Sequence, residues 1–148
     1  MAHLQIKYRP LYNWKYELRK DYVDDIPIKP PTDINENYIA LSKKGHLVIK
    51  KGYAWDGPSG PTLDTPNFMR GSLVHDAMYQ LLRLKHDLGG GRKKADRKAA
   101  DNLLYKMCRD DGMSRLRAWF VYRGLRWFGR FATEKSSEKD TNIDYVAP

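Results

Sequence analysis

The sequence predicts an α+β fold in which an antiparallel β region precedes three helices. Apolar residues alternate with polar ones early in the chain, as in half-buried strands, and later recur at helical spacing. Stretches rich in glycine and proline separate these segments. We therefore expect a single domain over residues 1–132, made of a β-rich part (1–52) and a loop with three helices (53–131), followed by a polar tail (133–148).

The strand predictions rest on the alternation of apolar residues. Residues 3–8 (HLQIKY) and 14–23 (WKYELRKDYV) are each predicted to form one strand with its apolar side chains on one face. The proline-rich, polar segment 26–37 is predicted to be a loop. Residues 38–53 predict a hairpin, because their central SKKGH supplies a glycine for a tight reversal.

The helix predictions rest on apolar residues spaced three or four positions apart. The first helix covers about residues 67–85, with Asn67 as its cap. A glycine-rich turn separates it from the second helix, about 93–110. The third helix covers about 114–131, with Ser114 as its cap.

Composition limits the class of protein. A chain of 148 residues with 41% hydrophobic residues is long and apolar enough for one packed core. The single cysteine, Cys108, excludes an intramolecular disulfide framework. The sequence also lacks the cluster of cysteines and histidines that would indicate a zinc site. The first residues lack the apolar region of a signal peptide, and no run reaches about eighteen apolar residues. We therefore expect no transmembrane segment and a cytoplasmic protein that leaves, if at all, by lysis or within a particle.

A histidine and an aspartate stand side by side in the first predicted helix. Adjacent residues on a helix point about 100° apart, whereas residues four apart share a face, so His75 lies with Tyr79 and not with Asp76. Such a pair is useful if the histidine faces a substrate water and the aspartate faces a bound cation. The alternative is a histidine at the edge of the core beside a solvated aspartate.

A second carboxylate, Asp56, lies in the loop WDGPSGP. Its glycines free the backbone and its prolines stiffen it, so the loop can direct carbonyl oxygens inward. Calcium binds several carboxylate and carbonyl oxygens. Asp56, its neighbouring carbonyls and Asp76 could therefore form a site for a hard cation. The alternative is a tight turn that joins a strand to a helix.

An imidazole base needs a partner on its other ring nitrogen. Asp101 in the second helix is the first candidate, because its neighbours on the helix are apolar and a carboxylate at the edge of a buried face needs a partner. Asp96 is the second candidate, and a cap or surface role is the alternative for both. Phosphohydrolases of the HD type also use an adjacent His-Asp pair, but the upstream histidines that they require are here only His3 and His46, in strand-like segments.

The net charge of +9 predicts attraction to polyanions such as nucleic acid, anionic lipid or an acidic protein. The third helix has a basic face with an aromatic residue, while Leu116 and Phe120 fall towards another face. The residues of the basic face are Trp119, Arg123, Arg126 and Arg130. This face suits an anionic membrane surface or a phosphate backbone. The alternative is a row of arginines that solvates the outside of a core helix.

These segments in their order (WDG, LVHDAMY, ADNLLYKM and AWFVYRGLRWFG) resemble the helical core of secretory phospholipase A2, particularly its bacterial form. The whole chain also resembles a phage and prophage family of unknown function with the same order of motifs. The resemblance implies that His75 is the general base and that Asp101 orients it, with Tyr79 as the accompanying aromatic residue. The calcium ligands that it implies are Asp56, the Gly57 carbonyl and Asp76.

The resemblance implies a calcium-dependent lipid acyl hydrolase that a phage uses against cell envelopes. The chain departs from the family, since it lacks the disulfides, an export signal and the glycine-rich calcium loop of the animal enzymes. Its strand-rich first fifty residues have no counterpart in the bacterial enzyme, and the insertion DLGGGRKK lengthens the gap from His75 to Asp101. The second hypothesis is therefore a non-catalytic virion protein of the head or tail that reuses the fold for protein contacts. These hypotheses place the chain in the host cytoplasm or the virion, with anionic lipid or other virion proteins as partners. A nucleic-acid-binding role is the third hypothesis.

Overall fold

Short strands form two antiparallel sheets before the chain becomes helical. The computed structural model describes residues 6–10, 16–55 and 66–134, and within them it confirms the predicted α+β fold. The strands are β1 (Tyr8–Pro10), β2 (Tyr16–Leu18), β3 (Tyr22–Asp25), β4 (Ile34–Asn35), β5 (Ile39–Leu41), β6 (His46–Ile49) and β7 (Ala54–Trp55). One sheet has the order β1-β2-β7 and the other β3-β6-β5-β4.

The predicted hairpin is confirmed as β5 and β6. Ile39 pairs with Ile49, and Leu41 pairs with Leu47. All four side chains are at most 1% exposed, so one face of this hairpin lies in the core. The reversal uses Gly45, which has a φ of +89°. That value belongs to the left-handed region, where glycine has no steric penalty.

The prediction of one strand over residues 14–23 is wrong. The described part of this segment bends after Leu18, so that β2 and β3 belong to different sheets. In one continuous strand Lys20 would face the same way as Leu18 and Tyr22, which are both buried. A lysine without a partner is costly to bury, and the bend leaves Lys20 exposed.

Two further strand predictions differ from the structure. The first described strand is β1 at Tyr8–Pro10, whereas the prediction covered residues 3–8, of which residues 3–5 lie outside the described ranges. The predicted loop 26–37 contains β4, which pairs with β5. Ile26, Ile28 and Ile34 in this segment are buried. Although its prolines suggested a loop, this segment packs on the core.

The three helices are α1 (Pro66–Arg83), α2 (Lys93–Asp110) and α3 (Arg115–Glu134). The bounds of α2 are the predicted ones, whereas α1 begins one residue earlier and ends two residues earlier than predicted. Asn67 therefore lies inside α1 and not at its cap, and the helix begins with Pro66, whose missing N–H costs nothing in the first turn. The predicted cap of α3 is confirmed, because Ser114 Oγ accepts the backbone N–H of Arg117 at 3.3 Å. Since α3 ends at Glu134, the helix takes the first two residues of the predicted tail, and the rest of that tail lies outside the described residues.

Helix α1 is largely buried and shares one hydrophobic core with strand residues and with α2. Trp55, at the end of β7, is 1% exposed and its Nε1 donates to Ser72 Oγ of α1 at 3.2 Å. Arg70 donates to Asp111, after α2, at 2.9 Å and pairs with Asp24 of β3 at 3.4 Å. These polar contacts fix α1 against both sheets and the end of α2.

We predict that Gly45→Ala destabilises the protein. A Cβ at this position would lie 2.3 Å from the backbone oxygen of Ile26, and the backbone has a positive φ. We expect a loss of about 2–3 kcal/mol in the free energy of unfolding, measured by urea denaturation. Gly91→Ala is the control, because Gly91 also has a positive φ of +75° but no atom within 4 Å of its Cβ position. We expect the control to cost only about 1 kcal/mol, and equal losses would contradict the close-contact argument.

Candidate active site

The structure brings together the predicted site residues His75 of α1 and Asp101 of α2. His75 Nε2 lies 2.7 Å from Asp101 Oδ1, and the two side chains are 5% and 1% exposed. The close packing of α1 on α2 explains this contact across 26 positions of sequence. The imidazole therefore has a carboxylate partner on one nitrogen, and this partner is Asp101, the first of the two candidates.

Tyr79, one turn after His75 on α1, joins the same carboxylate. Its hydroxyl donates to Asp101 Oδ1 at 2.7 Å, and its ring centroid lies 4.1 Å from that of His75. Burial and the negative charge of Asp101 raise the pKa of Tyr79 far above its ordinary value. Tyr79 therefore remains a hydrogen-bond donor at neutral pH. The spacing of four residues on one helix explains why the two rings meet.

A third donor to Asp101, which the sequence did not predict, comes from α3. Arg126 Nη1 donates to Asp101 Oδ2 at 3.0 Å. Arg126 was predicted to be part of a basic face that binds an anionic surface, but its side chain is only 26% exposed and is engaged with Asp101. The sequence did indicate that Asp101 needs a partner, because its neighbours on the helix are apolar. It did not indicate which basic residue provides that partner.

These contacts set the protonation of the pair. Burial raises the pKa of Asp101, but the hydrogen bonds from His75, Tyr79 and Arg126 outweigh burial, and the pKa lies below its ordinary value. An ionised carboxylate only accepts hydrogen bonds, so the proton of the 2.7 Å contact lies on His75 Nε2. Burial lowers the pKa of His75, while the bond to Asp101 and the charge of Asp76 raise it to a net value above normal.

Asp76 lies near the other nitrogen of the imidazole. Its Oδ1 is 3.8 Å from His75 Nδ1, which is too long for a hydrogen bond but close enough for the charges to interact. The Asp76 side chain is 31% exposed. The two nitrogens of His75 thus have different neighbours, with a buried carboxylate on Nε2 and a partly exposed one near Nδ1.

Of the predicted calcium ligands, Asp76 is the one within the described residues, while Asp56 and Gly57 lie outside them. Among the residues that the structure describes, no group of three or more His, Cys, Asp or Glu side chains could hold a metal ion. Trp55, the described residue immediately before Asp56, contacts Ser72, one helical turn before Asp76 on α1.

Asp96, the second candidate for orienting His75, has another role. Its carboxylate accepts the backbone N–H groups of Leu88 at 3.0 Å and Gly90 at 2.8 Å. Asp96 therefore stabilises the glycine-rich turn before α2. Asp101 alone of the two candidates contacts the imidazole.

Two other residues of the predicted basic face, Trp119 and Arg123, lie on the surface. Arg123 is exposed, and its Cζ lies 5.6 Å from the centroid of the Trp119 ring, which is itself 48% exposed. The side chain of Arg130 lies outside the described part of the chain. No helix in the described ranges has the length and apolar composition needed to span a bilayer. Surface binding by these residues stays a prediction.

We predict that Asp101→Asn removes a pH-dependent part of the stability. Because the pKa of Asp101 is lower in the folded chain than its ordinary value of 3.8, its contribution is complete above that pH and is lost as the pH falls through the folded-state pKa. Urea denaturation should give a loss of about 3–5 kcal/mol at pH 7 that narrows below about pH 4. The control, Asp110→Asn, removes an exposed pair with Lys106 and should cost about 1 kcal/mol or less. A difference in the free energy of unfolding between the wild type and Asp101→Asn that stays constant down to pH 3 would contradict this prediction.

We predict that Arg126 and Asp101 are energetically coupled. Arg126→Gln should cost about 1.5–3 kcal/mol at neutral pH, because it removes a charged donor from a buried carboxylate. Arg123→Gln is the matched control on the same helix and should cost less than about 1 kcal/mol. In a double-mutant cycle the cost of Arg126→Gln should largely disappear in the Asp101→Asn background. Equal losses in the free energy of unfolding for Arg126→Gln and Arg123→Gln would show that the contact between Arg126 and Asp101 contributes nothing to stability.

Comparison with known proteins yields one family match. The family model described as "Protein of unknown function (DUF1353)" matches residues 33–125. A search of curated proteins and a search of solved structures each found no match. The matched range contains α1, α2 and the residues His75, Asp76 and Asp101, and it stops just before Arg126. The chain therefore belongs to this family, whose description assigns no activity.

Proposed function

We propose that this protein is a phage-encoded lipid acyl hydrolase of the phospholipase A2 type that depends on calcium and acts on cell envelopes. The observation that carries the proposal is the contact between His75 and Asp101 on two packed helices. The resemblance of the three helices to a phospholipase core is part of the same proposal. Its support is the order of the motifs together with the meeting of the two residues that the resemblance pairs.

In this proposal His75 takes a proton from the attacking water. Asp101 holds a proton on Nε2, so the lone pair for the reaction is on Nδ1, which faces away from Asp101 towards the partly exposed Asp76. The charge of Asp101 would stabilise the imidazolium that forms. Tyr79 and Arg126 keep Asp101 in place by donating to its two oxygens. The chain thus supplies a base of fixed orientation and tautomer.

Asp76, Asp56 and the Gly57 carbonyl would hold the calcium ion. When bound, calcium polarises an ester carbonyl and stabilises the negative charge that develops on its oxygen. The support for this part is the position of Asp76, whose partly exposed carboxylate lies on the Nδ1 side of the imidazole. In this proposal Asp76 would help to hold the ion, while His75 would take the proton from the water.

A second function is supported by a different observation. His75 is only 5% exposed, and Asp101 accepts hydrogen bonds from described residues of both α1 and α3. A buried polar cluster that joins three helices can have a purely structural role. The second candidate is therefore a non-catalytic component of a virion head or tail, with other virion proteins as partners.

We expect calcium-dependent release of fatty acid from vesicles that contain phosphatidylglycerol. His75→Gln should reduce the rate by at least about 100-fold, because it removes the general base. Asp76→Asn should abolish the response to calcium and weaken calcium binding measured by calorimetry. His86→Gln is the matched control, since His86 follows α1 and contacts Glu36 at 2.6 Å instead of Asp101. It should retain wild-type activity.

The opposite result would favour the structural role. It consists of a folded wild-type protein with no lipid hydrolysis and no calcium binding, recovered at fixed stoichiometry from purified phage particles. Hydrolysis that survives in His75→Gln would also overturn the proposal, because the activity would then come from another site or a contaminant.

A further inference from the structure

The first half of α3 exposes a stripe of large apolar side chains. Leu116 is 67% exposed, Trp119 48% and Phe120 60%, and their spacing of three and four residues places them on one side of the helix. Ala118 and Val121 of the same helix are buried against the rest of the protein. The stripe therefore has no role in the described core. Exposed apolar clusters of this kind often mark binding surfaces.

The surroundings of this stripe are basic. Arg123 lies one turn beyond it and is stacked on Trp119. Residues 115–134 of α3 contain five arginines, of which Arg126 is engaged with Asp101, and a single acid, Glu134. The acids just before the helix already have basic partners, since Asp110 contacts Lys106 and Asp111 contacts Arg70. The stripe and its arginines thus present an apolar surface with positive charge.

We propose that Leu116, Trp119, Phe120 and Arg123 form the surface by which this protein docks on an anionic lipid bilayer. Tryptophan and phenylalanine insert at the boundary between headgroups and acyl chains, and arginine pairs with lipid phosphate. The inference deepens the proposed hydrolase function by naming the surface that brings the site to its substrate. It differs from the basic face expected from the sequence, because Arg126 is engaged with Asp101 and two apolar residues take part.

Charge and composition favour a bilayer over the other possible occupants. A second copy of the chain would bring the arginines of two α3 helices together, and like charges at short range oppose association. A nucleic acid would satisfy Arg123 but would leave Leu116 and Phe120 without apolar partners along its phosphate backbone. An anionic bilayer provides phosphate for the arginine and hydrocarbon for the apolar side chains.

The test is co-sedimentation with vesicles in the absence of calcium, using the His75→Gln protein so that hydrolysis plays no part. We expect binding to phosphatidylcholine vesicles that contain phosphatidylglycerol, little binding to phosphatidylcholine alone, and weaker binding at high salt. Leu116→Ser together with Phe120→Ser should lower the partition coefficient by about tenfold or more, because less apolar surface enters the bilayer. Arg123→Gln should mainly lower the preference for the anionic lipid.

Matched controls come from other exposed positions. Val23→Ser removes an apolar side chain that is 45% exposed on β3, and Lys44→Gln removes one charge from the β5–β6 turn. Both should bind like the parent protein. A stripe variant that binds like its parent while remaining folded by circular dichroism would overturn the proposal. So would dimers, seen by ultracentrifugation, that only the stripe variant loses.

These outcomes separate the docking surface from the proposed activity. If the stripe binds vesicles but the wild-type protein releases no fatty acid, the hydrolase proposal fails and the surface remains. If the protein hydrolyses dispersed lipid but the stripe variants bind vesicles normally, the docking surface fails and the hydrolase proposal remains.

Discussion

The arrangement of the helices depends on one buried carboxylate. Asp101 is 1% exposed, and a charge at that depth is tolerated only when donors surround it. His75 and Tyr79 of α1 and Arg126 of α3 provide these donors at 2.7–3.0 Å. Because each donor needs its helix in a particular place, Asp101 constrains how α1, α2 and α3 pack. The sheets complete this constraint, since Trp55 and the Arg70 network fix α1 from the other side.

The same contacts have two consequences for function. The hydrogen bonds to Asp101 fix the ring orientation and the tautomer of His75, which is what a general base requires. They also satisfy the polar groups of a buried cluster, which is what a structural core requires. Asp76 is the feature that favours chemistry, because it leaves a partly exposed carboxylate beside Nδ1. Helix α3 connects the cluster with the surface, since Arg126 reaches inward while Leu116 and Phe120 face outward.

Local sequence patterns determined most of the secondary structure. The hairpin of β5 and β6 and the bounds of α2 followed from alternation, helical spacing and glycine positions, because these elements form from neighbouring residues. The strand predicted over residues 14–23 failed, because its division between two sheets depends on which side chains can be buried together. The segment 26–37 was predicted to be a loop because it is rich in prolines. Its isoleucines are buried only because the segment packs against the sheet, which local sequence does not show.

For the candidate site, the sequence by itself predicted His75, Asp76, Tyr79 and Asp101, because a resemblance and the apolar neighbours of Asp101 pointed to them. Only the tertiary structure chose Asp101 over Asp96 and assigned Arg126 to the buried carboxylate. Helical spacing defines the faces of each helix but not which face of α3 meets α2. That depends on the distance and angle between helices, which packing of the whole core decides. Sequence thus supplied the chemical groups, and packing determined which of them meet.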